Sequence, residues 1–233
     1  MRKINFQNVD SVSAEGTIRR HSLLENHIGF KLETILQHAL KSRDIYTQEH
    51  SARVVQLAEI IGERLGLDNQ QLDILSLAAG FHDIGKIGIP DHVLLKPGRL
   101  SAPEYAIIKE HPIIAANMLR SLDNPLIDEV AMYVLHHHEQ WDGNGYPDGL
   151  TGEQIPIISR IIAVVDAYDA MTTTRSYRSQ IDKKLAIDTI AQESGVQFCP
   201  KVVEVLLQLH QESPEDILAT RDTKPLISPT SRS

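Results

Sequence analysis

The chain holds a single cysteine, Cys199, which excludes an internal disulfide and fits a reducing compartment. No apolar run approaches the roughly 18 residues a transmembrane helix needs. The opening MRKINFQNVDSVSAEG lacks the apolar core of a signal peptide, so a cytoplasmic protein is expected. Basic residues are in deficit, 23 Lys and Arg against 31 Asp and Glu, for a formal net charge of −8. A binder of nucleic-acid polymers would present a basic face, and that class is set aside. A small anionic substrate stays open, because a bound metal can reverse the charge of one pocket. Aromatics make up only 5% of the residues, and strand-like alternation is nearly missing. With 42% hydrophobic residues over 233 positions, the chain can bury a sizeable core. The expectation is all-α.

The helical period sets the organisation. Leu32, Ile35, Leu36, Ala39 and Leu40 fall on one face. A second helix is predicted from about Gln48, with Gly66 as its stop, and a third from Leu72 to Ala79 runs into Phe81-His82-Asp83. Residues 85–100 read as a loop. Ser101 to Glu104 form a capping box opening a helix that carries His111, with Pro112 breaking or kinking it. A helix over Pro125–His138 is followed by a glycine- and proline-rich loop at 139–156, and such a loop within a compact domain is usually functional. Ile157–Met171 reads as a core helix, Asp182 caps another to Glu193, and Pro200 starts one to about His210.

Histidine is what the chain has in excess. Of 11, seven lie between residues 50 and 138: His50, His82, His92, His111, His136, His137 and His138. The pair His82-Asp83 closes an apolar helix, with Gly85-Lys86 directly after it. Taken alone, His50 reads as a surface histidine at a helix start and His111 as part of a helix-ending turn. Asp166, inside IIAVVDAYDAM, needs a partner, because a buried unpaired carboxylate is costly. Asp169, three residues on, shares its face. On a helix, His136, His137 and His138 lie about 100° apart, so at most two reach one site. Imidazole and carboxylate without thiolate suit iron, manganese or zinc. A bridging carboxylate with histidines can hold two ions roughly 3.5–4 Å apart, the spacing used in phosphoryl displacement. At this level the residues indicate a metal-dependent hydrolase.

The segment His137 to Pro147 fits HHExxDGxGYP at all eight specified positions. HDIGK at 82–86, IPDHVLLKPGRL at 89–100, His111-Pro112, Asp166 to Met171 and Arg175 to Arg178 add further matches. Together they resemble the HD-GYP family, a branch of the HD phosphohydrolases, across roughly residues 28–215. The resemblance implies a single-domain, HD-type helical bundle of about seven to nine helices. Residues 1–27 are then a polar N-terminal arm, with no room for a receiver or sensory domain, and 216–233 a disordered tail. It also implies hydrolysis of the bacterial second messenger cyclic di-GMP to linear pGpG or GMP.

Carried over by residue, the resemblance implies His50, His82, Asp83, His111, His137, His138 and Asp166 as metal ligands, with Asp83 bridging and His136 beside them. Lys86 would steady charge on the phosphoryl oxygens, and Asp169 would orient a ligand or the water. Arg175 and Arg178 would grip phosphate or stack on guanine. Tyr146, with Pro147, would border the substrate or dock a diguanylate cyclase (GGDEF) protein. Three-metal members resemble one another in a glutamate four residues before the first ligand histidine. Tyr46 stands there, and Glu49 would be displaced by about 100° on a helix. Two divalent ions, iron or manganese, and linear pGpG are therefore the expectation. A homodimer through the first helix is compatible with its amphipathic face. The alternatives are a catalytically inactive cyclic di-GMP sensor that docks partners, and an HD hydrolase of another nucleotide.

Overall fold

The computed structural model describes residues 47–173, 181–214 and 217–218. The first predicted helix, Tyr46, Arg175, Arg178, the N-terminal arm and most of the tail lie outside the described residues. Among the described residues the fold is all-α, with one isolated bridge pairing Ser194 and Phe198 and no strand. No described helix is long and apolar enough to cross a membrane.

Helix α1 (Thr47–Arg64) buries Val54, Leu57, Ala58, Ile60 and Ile61 along one stripe. It stops where predicted, at Gly66, whose φ of 80° is the left-handed conformation that ends many helices. Asp68 and Gln71 then form a capping box that starts α2 (Asn69–Phe81). Every residue from Ile74 to Phe81 on α2 is buried, so this is the central helix, enclosed on all sides. Gly62 lets α1 lie close against it, since a Cβ there would come within 2.8 Å of Leu75 and 2.9 Å of Leu72.

The predicted loop at 85–100 contains more structure than expected: a 3-10 turn at Ile84–Gly88 and a single helical turn, α3 (Asp91–Leu94). The Ser101–Glu104 capping box starts α4 (Ala102–Ile108) as expected. Here Pro112 marks a full break. A new helix, α5 (His111–Arg120), begins with His111 and carries Pro112 in its first turn, where a missing N–H is harmless. Helix α6 (Pro125–Leu135), capped by Asn124, ends three residues earlier than predicted. Consequently His136, His137 and His138 lie in a turn and not on a helix.

The core helix α7 (Ile157–Thr172) packs on α1 and α2, and Ser159 donates to the Tyr133 carbonyl of α6 at 2.8 Å. Asp182 caps α8 (Lys183–Gln192), and α9 (Pro200–Glu212) closes the bundle against it and against α1. One continuous core of Ile, Leu, Val and Ala runs through these helices. At about 1.5–3 kcal/mol per fully buried large aliphatic side chain, that core is the main source of rigidity beneath the polar site.

Candidate metal centre

The site gathers around Asp83, the second residue after α2. Its two carboxylate oxygens face different histidines. Oδ2 lies 3.5 Å from His82 Nε2 and 3.9 Å from His50 Nε2, while Oδ1 lies 3.5 Å from His111 Nε2. On the first side, Asp166 Oδ1 from α7 stands 3.3 Å from His50 Nε2 and 4.0 Å from His82 Nε2. On the second, the rings of His137 and His138 are 4.0 Å apart, with His111 at 5.4 and 5.0 Å from them. Two sets of three, His50-His82-Asp83 and His111-His137-His138, each bring one potential ligand atom per residue within 4.8 Å of the others. The structure thus brings together all seven residues that the family resemblance implied as ligands.

Three of the rings are aimed by the end of the helix that precedes them. His82 Nδ1 is 2.7 Å from the Ala79 carbonyl, His111 Nδ1 2.7 Å from that of Ile108, and His137 Nδ1 2.6 Å from that of Val134. In all three, the acceptor is the carbonyl three residues back, one of those a helix end leaves unpaired. Donation from Nδ1 keeps the Nε2 lone pair free to face the cluster. His111 Nε2 and His137 Nε2 are buried without a hydrogen-bond partner. Buried imidazole nitrogens rarely stay unpaired, and a cation fits where several lone pairs converge. With nitrogen and oxygen donors and no sulfur, the set suits a borderline divalent ion.

The electrostatics separate the two sides. Burial alone would discharge His50, but hydrogen bonding to Asp166 and Asp169 outweighs it and raises its pKa to about 9. Burial lowers His111 to about 3 and His138 to about 4, and holds His137 well below the ordinary value. Burial acts to raise the Asp83 and Asp166 carboxyls, yet neighbouring Lys86 and the histidines keep Asp83 ionised and the histidines do the same for Asp166. His111, His137, His138, Asp83 and Asp166 are therefore in the charge state that metal binding requires, while His50 carries a proton that an ion would have to displace.

The remaining predicted residues fall around this core. Lys86 places its ammonium 2.5 Å from Asp83 Oδ2. Asp169 does not line the cluster but accepts from His50 Nδ1 at 2.7 Å. Tyr146 stacks on His138 with ring centroids 4.9 Å apart. His136 turns away, its Nδ1 3.6 Å from Glu139 and 3.8 Å from Asp148. That two of the three consecutive histidines reach one site agrees with the sequence reading, although a turn, not helical geometry, separates them. Glu49 is exposed, on a different face of α1 from buried His50.

Three contributors escaped the sequence reading. Arg53, one turn after His50, clamps Asp169 through Nε at 2.6 Å and an Nη at 3.0 Å. Its i+3 spacing from His50 was the available signal. Buried Glu139 accepts from the Asp148 and Leu150 amides at 2.7 and 3.1 Å, fastening the loop that presents Tyr146. Gly85 sits where a Cβ would lie 1.9 Å from the His111 carbonyl oxygen, so only glycine lets α5 bring His111 up to Asp83. Gly145 has the same role beside Glu139 and Gln140, where a Cβ would come within 2.2 Å of backbone. In the same loop Gly143, Gly149 and Gly152 take left-handed backbone angles, with φ of 86°, 66° and 54°.

The family profile described as HD domain matches residues 34–202. A cyclic di-GMP phosphodiesterase response regulator, RpfG, of Xanthomonas campestris is 40% identical over 74% of this chain and 46% of its own length. A cyclic di-GMP phosphodiesterase of Thermotoga maritima is 40% identical over 78% of the chain and 50% of its own. The chain therefore spans about half the length of these curated relatives. Among solved structures, a cyclic GMP-AMP specific phosphodiesterase of Vibrio cholerae, V-cGAP3, superposes with a TM-score of 0.57 at 25% identity, covering 76% of this chain and 46% of that one. With the HDIGK and HHExxDGxGYP segments folded around one histidine-rich centre, the chain belongs to the HD domain family, in its HD-GYP branch.

Proposed function

We propose that this protein is a metal-dependent phosphodiesterase that hydrolyses cyclic di-GMP, with linear pGpG as its main product. The observation that carries the reading is Asp83, whose two oxygens face two separate ligand sets. His50, His82, Asp83 and Asp166 would hold one divalent ion, and Asp83, His111, His137 and His138 the other. Iron or manganese suits those donors. When bound, such a pair supplies Lewis acidity to the phosphodiester oxygens and lowers the pKa of a water.

The chain's own residues do the rest. Lys86, already against Asp83, carries the cation that meets charge growing on the phosphoryl group. Arg53 fixes Asp169, and Asp169 fixes the Nδ1 of His50, so that Nε2 keeps its aim. Tyr146 forms the wall beyond His138. Arg175 and Arg178 are assigned to the substrate from the family resemblance. The names of the relatives support the substrate, and the fastened 139–151 loop is a firm surface for a diguanylate cyclase partner. A cytoplasmic location and a homodimer complete the reading.

The test is turnover by protein purified without oxygen, its metal counted, against cyclic di-GMP, cyclic GMP-AMP, (p)ppGpp and dNTPs. Release of pGpG with about two ions per chain is expected. Retained binding of cyclic di-GMP without turnover by iron- and manganese-loaded protein would overturn the enzyme reading in favour of a sensor. Preference for another nucleotide would overturn the substrate. Three metal equivalents would overturn the count.

A further inference from the structure

Outside the ligand cluster, α4 and the residue that follows it deliver Tyr105 and Lys109 to its rim. Tyr105 is 50% exposed although it is a large aromatic. The Lys109 ammonium, two residues before His111, hangs 5.6 Å from the Tyr105 ring centre and 5.7 Å from that of Tyr146. Tyr146 lies in turn against His138. A continuous path therefore runs from the second ligand set through Tyr146 to a cation and an open aromatic face. Lys86 stands at the other side of the cluster, against Asp83 Oδ2.

A cyclic dinucleotide carries two phosphodiesters and two bases, and the metal centre can address one phosphodiester at a time. On a chain of net charge −8, the phosphate left outside needs a local cation. Its base needs a flat apolar partner, and any nucleobase stacks on an exposed phenol ring. We propose that Tyr105 and Lys109 form a rim subsite for the nucleotide whose phosphodiester is not being cleaved. Lys109 pairs with the phosphate and Tyr105 stacks on the base. The proposal rests on the cyclic dinucleotide reading above and names the residues that would favour two-nucleotide substrates over small diesters.

The experiment compares full-length, manganese-loaded protein with Tyr105→Ala, Tyr105→Phe and Lys109→Ala, after circular dichroism and metal counting establish equivalent folding. The substrates are cyclic di-GMP and bis(p-nitrophenyl) phosphate, which has neither nucleobase nor second phosphate. In Tyr105→Ala and Lys109→Ala, KM for cyclic di-GMP should rise about tenfold relative to KM for the small diester. Tyr105→Phe, which keeps the ring face, should recover most of that. Equal shifts on both substrates, or a phenylalanine variant as impaired as alanine, would overturn the subsite while leaving the phosphodiesterase intact. If wild-type protein cleaves only the small diester, GMP binding by calorimetry takes over. Binding weakened in Tyr105→Ala keeps the subsite and removes the substrate reading, and no binding by wild type removes both.

Discussion

At the scale of single residues, the site depends on groups that aim other groups. Asp169 holds the Nδ1 of His50 and Arg53 holds Asp169, and together they determine where the Nε2 of His50 points. Partners of this kind typically control 10–100-fold in metal affinity. Asp169→Asn and Arg53→Ala should weaken manganese binding by about that factor, read by competition with a fluorescent chelator. Arg53→Lys should recover only part, since lysine cannot repeat the forked contact. Unaltered affinity in both would show that His50 is held by packing alone.

The buried histidines and carboxylates of the cluster set the pH response of metal-free protein. His111 and His138 sit below their ordinary 6.5, at about 3 and about 4, because burial disfavours the imidazolium. The unfolded chain therefore takes up protons first, and stability falls as pH drops from 6.5 toward those values. The lowered carboxyls of Asp83, Asp166 and Asp169 add to the loss in the more acidic range. His50, raised to about 9, has the opposite sign: its contribution is complete below 6.5 and disappears as pH climbs toward 9. A melting series on chelated protein should peak near neutral pH, and a flat profile from pH 7 to 4 would contradict this assignment.

At the scale of elements, much of the fold was legible in the sequence. Apolar period and capping residues placed α1, α4, α7 and α8 within a few positions, because those signals are local. The ends of the site-bearing elements were not. No glycine or proline stops α6 at Leu135, and the helix gives way to the turn in which His137 bonds back to the Val134 carbonyl. The ligand types were visible, yet their grouping became clear only through the HHExxDGxGYP resemblance, since spacing alone left His50 as a surface histidine and His111 as part of a helix-ending turn. Arg53 and Glu139 were hidden because their partners lie 116 and 9 or more residues away. Gly85 illustrates a requirement of docking, not of backbone angle. Gly85→Ala should cost about 3 kcal/mol or more and lower metal content, as α5 is pushed off the turn. Gly66→Ala, with open space around it, should cost about 1 kcal/mol from its left-handed angle alone and leave metal content unchanged. Denaturant melts with metal analysis of both variants check the contrast.

At the scale of the whole molecule, the cluster joins α1, the end of α2, the start of α5, the turn after α6, and α7. Ions held there would tie together elements distant in the chain, and binding to the folded state alone adds stability in proportion to the logarithm of occupancy. At about one hundred times the dissociation constant this amounts to about 2.7 kcal/mol. For a domain of this size each kcal/mol moves Tm by about 2–4 °C, so chelation should lower Tm by about 5–10 °C. Calorimetry before and after metal removal and readdition measures it. A melting point indifferent to metal would mean that the helices hold the cluster without needing it.

The imidazoles of His82, His111 and His137, each fastened to the carbonyl three residues behind it, carry a lesson for protein engineering. Ring and anchor lie within four consecutive residues, so each forms a self-contained cartridge. Three helix ends brought to the same mutual placement on an unrelated scaffold should present the same converging nitrogens, with no transplanted neighbours to support them.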